Sequence, residues 1–278
     1  MLGSIIGDIV GSIYEFSNIK TKDFEFFQQR MEFTDDSILT FATAQWLLQG
    51  GESWRYYYSF ADAYPNPMGA YGTSFVHWVH NCQRNGFAEP YFSCGNGSAM
   101  RVGPAGWAFD TEAEVLAAAK ASAECTHNHP EGIKGAQATA LSILIARQGN
   151  ASGKSLDAIR TEIRNAMQQQ FGYEFPLTVD QLRPLYSWSG VGGSGNGGIC
   201  QDSVPQAILC ALEANDFEDA IRNAISIGGD SDTIGCITGS IAEALYGIPS
   251  AIRQQALTYL PQPLQNLLNE FEQRYGHR

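Results

Sequence analysis

The chain lacks any run of about 18 unbroken apolar residues, the length that a bilayer-spanning helix requires. Its apolar opening, MLGSIIGDIV, is interrupted at Asp8, and no basic segment precedes it. It is therefore read neither as a signal peptide nor as a membrane anchor. Positive charge is scarce: 17 Lys and Arg stand against 29 Asp and Glu, for a net charge of −12. That balance argues against a nucleic-acid backbone or an anionic membrane as the main partner, while leaving room for a local pocket that takes a phosphate-bearing small ligand. The six cysteines (Cys82, Cys94, Cys125, Cys200, Cys210 and Cys236) include no C-x-x-C pair. They read as reduced thiols in a cytoplasmic protein. Fixed-period repeats and polar linkers are also missing, so residues 1–278 are read as one domain, expected to act as a monomer. Strand alternation is nearly absent; only Phe24 to Phe33, FEFFQQRMEF, is a candidate for extended chain.

What is present is helical. Hydrophobic residues make up 44% of the 278 residues, enough for a large core. Helix periodicity runs through Thr34 to Leu48, Glu112 to Ser122, Glu131 to Arg147, Leu156 to Gln170, Ser203 to Glu213, Phe217 to Ile227 and Thr233 to Tyr246. Two more helices are expected after Ser250 and over Leu264 to Tyr275. The fold class is all-α. Gly3, Gly7 and Gly11 recur every fourth residue, as do Gly235 and Gly239. In segments this short and polar, that spacing signals close backbone contact between two core helices, because glycine has no Cβ.

Two acidic stretches carry the chemistry. EFTDDSILT places Thr34 at a helix cap, with Asp35 and Asp36 in the first turn. SIGGDSDTIG repeats the theme with Asp230, Asp232 and Thr233 before another apolar helix. A cap alone explains one side-chain oxygen per helix, with Asp230 as the plain choice for the second. If the two starts converge, four carboxylates share a small space and repel, and cations are needed. Carboxylates and threonine hydroxyls are hard oxygen donors, which favours Mg²⁺ or Mn²⁺. Four carboxylates suggest two such ions, which can orient and activate a water. Zinc is disfavoured, since His127 and His129 lack a third ligand at zinc spacing. Asp8 and Glu15 stand out among apolar residues and glycines, Glu15 at the point where the first helix is expected to break. GNGSAMRVGP, Gly95 to Pro104, offers backbone N–H groups for a diphosphate, with Arg101 to balance charge. SGVGGSGNGG, Ser189 to Gly198, reads as a loop near a site.

These pieces, in this order, resemble the ADP-ribosylglycohydrolase family, which includes the dinitrogenase-reductase-activating glycohydrolases and the ADP-ribosyl-acceptor hydrolases. The matching motifs are GDIVGSIYE, FTDDS, GNGSAMR, Thr126-His127, DSVPQA and GGDSDTIG with the following GSIAEALYG. They extend from Gly3 to about Pro249. The resemblance implies a compact orthogonal helical bundle and a binuclear Mg²⁺ or Mn²⁺ site. It assigns the metal ligands to Thr34, Asp35, Asp36, Asp230, Asp232 and Thr233. It places Glu15 near the metals and the scissile bond, with Asp36 and Asp232 as further catalytic carboxylates. Ser93, Gly95, Asn96, Gly97 and Ser98 match the loop that holds the diphosphate, and His127 matches a ligand-contacting position. The implied activity is hydrolysis of the bond between ADP-ribose and an acceptor, with an ADP-ribosylated protein as partner and arginine as the first expectation. Ser231 stands where other members carry Thr, and Cys94 and the long glycine loop bear on acceptor specificity rather than on the chemistry. The alternatives are another ADP-ribosyl conjugate (serine, a nucleic-acid end or a metabolite), a non-catalytic binding relative, a nucleotide-sugar transferase with an Asp-x-Asp motif on an α/β fold, and a thiol hydrolase built on Cys94 and His127.

Overall fold

The computed structural model describes residues 1–276. Regular structure is almost wholly helical: α1 (Leu2–Gly11), α2 (Asp35–Gln49), α3 (Ser53–Ala63), α4 (Thr73–Asn85), α5 (Gly97–Met100), α6 (Gly103–Ala108), α7 (Glu112–Glu124), α8 (Pro130–Ala151), α9 (Leu156–Phe171), α10 (Val179–Leu182), α11 (Cys200–Leu212), α12 (Phe217–Ile227), α13 (Ser231–Tyr246), α14 (Ser250–Leu257) and α15 (Gln262–Tyr275). A small antiparallel hairpin, β1 (Tyr186–Ser187) and β2 (Gly190–Val191), lies between α10 and α11. The all-α expectation holds, and each helix read from periodicity is present with shifted ends. Phe24 to Phe33 forms turns rather than a strand. The first helix ends at Gly11, so Glu15 sits beyond it in a turn and not at the helix end.

Side-chain caps fix several starts. The hydroxyls of Thr111 and Ser155 accept from the N–H groups of Glu114 and Ala158 to open α7 and α9, and the carboxylate of Asp216 accepts from Asp219 N–H to open α12. Five helices were not apparent in the sequence: the short α5, α6 and α10, and the longer α3 and α4. The buried positions of the longer two, Trp54, Tyr57 and Ala61, then Phe75, Trp78 and Cys82, do follow a helical period. Aromatic residues in polar company suit strands as readily as helices, which hides that period.

The fold is organised about α1 and α13. All ten residues of α1 are buried, as are fourteen of α13's residues, from Ser231 to Leu245 with only Glu243 left out. The two helices run antiparallel, with Gly3 opposite Gly239, Gly7 opposite Gly235 and Gly11 opposite Asp232. A Cβ built at Gly7 would overlap the Gly235 carbonyl, and one at Gly11 would overlap the Asp232 backbone. The glycine spacing thus marks backbone-on-backbone packing. On one side of this pair, Ile234, Ile237 and Ile241 join a core with α2 to α5 and α7 to α11. On the other, Leu2, Ile5, Ile6 and Ile9 pack with α12, α14 and α15.

The contact tolerates no side chain. Gly7→Ala should destabilise by about 3 kcal/mol or more, because backbone has to move on both helices. Gly72→Ala, where a Cβ meets nothing within 4 Å, should cost under about 1 kcal/mol. Thermal denaturation of both variants checks this; equal midpoints would contradict the packing argument.

Candidate metal and substrate site

The site begins with Asp8, one turn before the end of α1. Its carboxylate is completely buried and accepts four hydrogen bonds. The backbone N–H groups of Thr34 and Ser37 donate at 2.9 and 3.1 Å, the Thr34 hydroxyl donates at 2.6 Å, and the Ser37 hydroxyl also donates. Asp8 therefore holds the N-terminus of α2 against α1, where the positive end of the helix dipole meets a carboxylate. Sequence reasoning marked Asp8 but gave it no role. The signal was an acid inside an otherwise apolar ten-residue helix.

Thr34 caps α2 as expected, its hydroxyl accepting from Asp36 N–H at 3.3 Å. At α13 the plain cap reading fails. Asp230 occupies the cap position, but its side chain makes no cap bond. Its Oδ2 instead accepts from the Asn96 amide at 2.8 Å, so it is turned toward the glycine loop. The Thr233 hydroxyl donates to Asp36 Oδ2 at 3.3 Å and joins the two helix starts directly. Carboxylate oxygens of Asp8, Asp36 and Asp232 lie within 4.8 Å of one another, as do those of Glu15, Asp230 and Asp232. The two acidic motifs therefore converge, and Glu15 joins them. Thr34, Asp36, Asp230, Asp232 and Thr233 are all buried, and Asp35 lines the cavity beside them.

Burial of so many acids is costly. It is the main force raising the Asp35, Asp36 and Asp232 carboxyls well above the usual range, reinforced by their mutual repulsion. Burial, followed by the charges of Asp232 and Asp8, pushes Glu15 up to about 8. Asp8 and Asp230 rise only to about 6, because hydrogen bonds from Ser37 and Thr34, and from Asn96, oppose burial. Asp36 Oδ1 is buried without any hydrogen-bond partner. An orphan carboxylate oxygen in a set of hard oxygen donors fits a divalent cation of the Mg²⁺ or Mn²⁺ class.

Glu15, Asp35, Asp36, Asp230 and Asp232 line a cavity of about 460 Å³, with Asp8 buried behind them. Ser93, Gly95, Asn96, Gly97, His127 and Gly198 line one wall, and the segment from Gly69 to Phe75 lines another, which sequence reasoning missed. His127 is buried. A Cβ at Gly97 would lie 3.0 Å from its Nε2, so the ring packs under the glycine loop. Burial, then the Arg101 charge, holds His127 well below its usual pKa and therefore neutral. Its Nδ1 pairs with the Thr126 hydroxyl at 2.8 Å. Ser98 is brought near the loop but not into the cavity lining. Its hydroxyl donates to the Gly132 carbonyl at 2.7 Å, inside the core. Arg101, although buried, does line the cavity. It donates to Ser122 O and Thr126 Oγ1 and stacks 3.8 Å over the Tyr57 ring, while its Nε and Nη1 have no hydrogen-bond partner. It braces His127 through Thr126. No hydrogen bond links Cys94 to His127 among the described residues, and Asp-Ser-Asp follows a helix, not a strand. The α/β transferase therefore loses its basis.

The charge pattern gives a signed pH dependence. A carboxyl with a raised folded pKa binds its proton more tightly when folded, so stability falls as pH rises from about 4 through the folded values. For Asp8, Asp230 and Glu15 that window ends at about 6, 6 and 8. In EDTA the protein should melt higher at pH 5.5 than at pH 8, by roughly 5 °C or more. Excess Mg²⁺ should close the gap, and Asp232→Asn should flatten it. A midpoint in EDTA that climbs from pH 5.5 to 8 would show that these acids are not frustrated.

Known proteins bear on the arrangement. The sequence profile of ADP-ribosylglycohydrolase matches residues 1–277. ADP-ribosylhydrolase ARH3 of Bos taurus is 26% identical over 321 aligned residues, spanning 93% of this chain and 88% of that protein; ARH3 of Homo sapiens gives the same figures over 322 residues. ADP-ribosylarginine hydrolase Tri1 of Pseudomonas putida (strain GB-1) is 25% identical over 168 residues, 56% of this chain and 39% of that protein. A solved ADP-ribosylglycohydrolase-related protein complex superposes with a TM-score of 0.69 at 21% identity, over 98% of this chain and 95% of that one, a likeness of fold. The profile runs through both acidic helix starts, the glycine loop and the paired glycine helices, and the chain belongs to the ADP-ribosylglycohydrolase family.

Proposed function

We propose that this protein is a metal-dependent hydrolase that cleaves the glycosidic bond between ADP-ribose and an acceptor. The observation that carries the reading is the buried acid cluster, with its orphan Asp36 oxygen, beside a glycine loop in one cavity. Thr34, Asp35, Asp36, Asp230, Asp232 and Thr233 would hold two ions of the Mg²⁺ or Mn²⁺ type. When bound, the ions supply positive charge that holds ribose hydroxyls and polarises water.

The chain's own residues do the rest. In the Ser93 to Ser98 loop the main-chain N–H groups of Gly97 and Ser98 hold the diphosphate, since those of Gly95 and Asn96, the Ser98 hydroxyl and the Asn96 amide are already engaged. His127, neutral and fixed beneath the loop, supports its backbone and contacts the ligand. Glu15 sits at the reacting bond. Burial and the repulsion from Asp232 and Asp8 raise its pKa, and the charge of bound cations would offset that repulsion and so keep Glu15 ionised. Glu15 then takes a proton from water as the water oxygen bonds to the anomeric carbon and the bond to the acceptor breaks. That proton passes to the departing acceptor, so that Glu15 is ionised again and ADP-ribose is released.

An arginine guanidine is the first acceptor to test, a choice that the name of the Pseudomonas relative supports. The serine, nucleic-acid and metabolite conjugates share the same ADP-ribose half. The whole chain acts as one domain in this reading. Its six free cysteines suit a reducing compartment, and we assign it to the cytoplasm.

EDTA should abolish turnover of ADP-ribosylated arginine, while alkylation of the cysteines leaves most of it. Asp232→Ala should lose metal binding and turnover together. Glu15→Ala should lose about 10²–10⁴-fold in kcat while still binding Mg²⁺ and ADP-ribose by calorimetry. Full activity in Asp232→Ala would overturn the reading, and loss of metal binding in Glu15→Ala would make Glu15 a ligand.

A further inference from the structure

The turn that carries Glu15 and the turn that carries Asp230 come from opposite ends of the sequence. One exposed side chain ties them together. Asn18 lies in none of the sequence motifs, yet its amide engages both main-chain polar groups of Gly229. Its Oδ1 accepts from Gly229 N–H at 2.8 Å, and its Nδ2 donates to Gly229 O at 2.8 Å. The same Nδ2 donates to Tyr14 O at 2.7 Å and reaches Glu15 O at 3.0 Å. It also lies 3.3 Å from the Ser231 hydroxyl.

This arrangement is chemically selective. A planar amide offers a donor and an acceptor on one short stem, which is what a peptide unit presents to its neighbour in a sheet. Gly229 has φ of 77° and follows Gly228 at 71°, left-handed conformations that glycine adopts freely, so the pair lets the main chain turn toward Asn18. Neighbouring contacts support the same junction. Lys20 Nζ donates to the carbonyls of Ile227 and Tyr186, and the Trp188 indole N–H donates to Glu15 O at 2.9 Å. Asp230 and Asp232 lie one and three residues past Gly229, and Glu15 lies three before Asn18.

We propose that Asn18 is a positioning residue that anchors the Gly229 turn, and so sets the geometry that Asp230 and Asp232 offer to a divalent ion beside the Glu15 turn. The inference rests on the reading of those acids as a metal and catalytic site. Outer partners that orient ligands of a metal typically change its affinity about 10–100-fold when removed.

The test uses Mn²⁺ alone as the probe, in calorimetric titrations of the full chain. Asn18→Leu keeps the approximate shape and removes every hydrogen bond; Asn18→Ala is the second variant. Both should weaken Mn²⁺ binding about 10-fold or more, while melting in EDTA stays cooperative, because the side chain is exposed and the core is untouched. Asn215→Ala, which removes an amide that donates to Asp219 in the first turn of α12, at the opposite end of that helix from Gly229, should bind Mn²⁺ as the wild type does. Wild-type affinity in both Asn18 variants, with affinity lost in Asp232→Ala, would overturn the positioning role and leave the metal site standing. Unchanged affinity in Asp232→Ala as well would remove the metal site itself.

Discussion

Everything in the site depends on how closely α1 and α13 approach. Glycine faces glycine at Gly3–Gly239 and Gly7–Gly235, and Gly11 faces the Asp232 backbone. With a methyl group at any of these positions the helices would separate, and Asp8 would withdraw from the start of α13. Because they run antiparallel, the end of α1 meets the beginning of α13. Asp8 then draws in α2 through Thr34 and Ser37. Three helix ends are thus placed by one backbone contact and one buried carboxylate. The acids that follow, Asp35, Asp36, Asp230 and Asp232, inherit their positions from it.

The arrangement is stable in packing and frustrated in charge. Apolar burial around the α1–α13 pair is extensive, while the acids at its end repel one another inside a low-dielectric pocket. Hydrogen bonds relieve this unevenly. Asp8 is saturated by four donors, Asp230 has Asn96, and Asp36 keeps one oxygen with no partner. The residual demand for positive charge is therefore centred between Asp36 and Asp232. A fold that retains such a conflict holds the acids in readiness for a cation rather than for its own stability.

Much of this was legible in the sequence. The paired glycine spacing foretold the helix contact, and Thr-Asp-Asp with Asp-Ser-Asp-Thr foretold the converging acids. What stayed hidden has physical causes. Asp8 looked like a stray acid because its four donors come from residues 26 to 29 positions away. Asp230 looked like a cap because local rules see only its own helix, whereas its partner Asn96 is 134 residues distant. The Ser98 hydroxyl belongs to a motif that suggests ligand contact, and the core claims it, whereas Arg101 of the same motif is buried and still lines the cavity. The wall from Gly69 to Phe75 has no motif; it lies near Glu15 because Met68 pairs with Thr34 in an isolated bridge.

The central claim is that this acid cluster is a divalent-cation site. Anomalous diffraction from crystals soaked in Mn²⁺, recorded at the manganese edge, tests it most directly. The account predicts peaks among the carboxylates of Asp36, Asp230 and Asp232, within coordination distance of Asp36 Oδ1. Well-ordered crystals with no peak there, at Mn²⁺ concentrations that support hydrolysis, would contradict it.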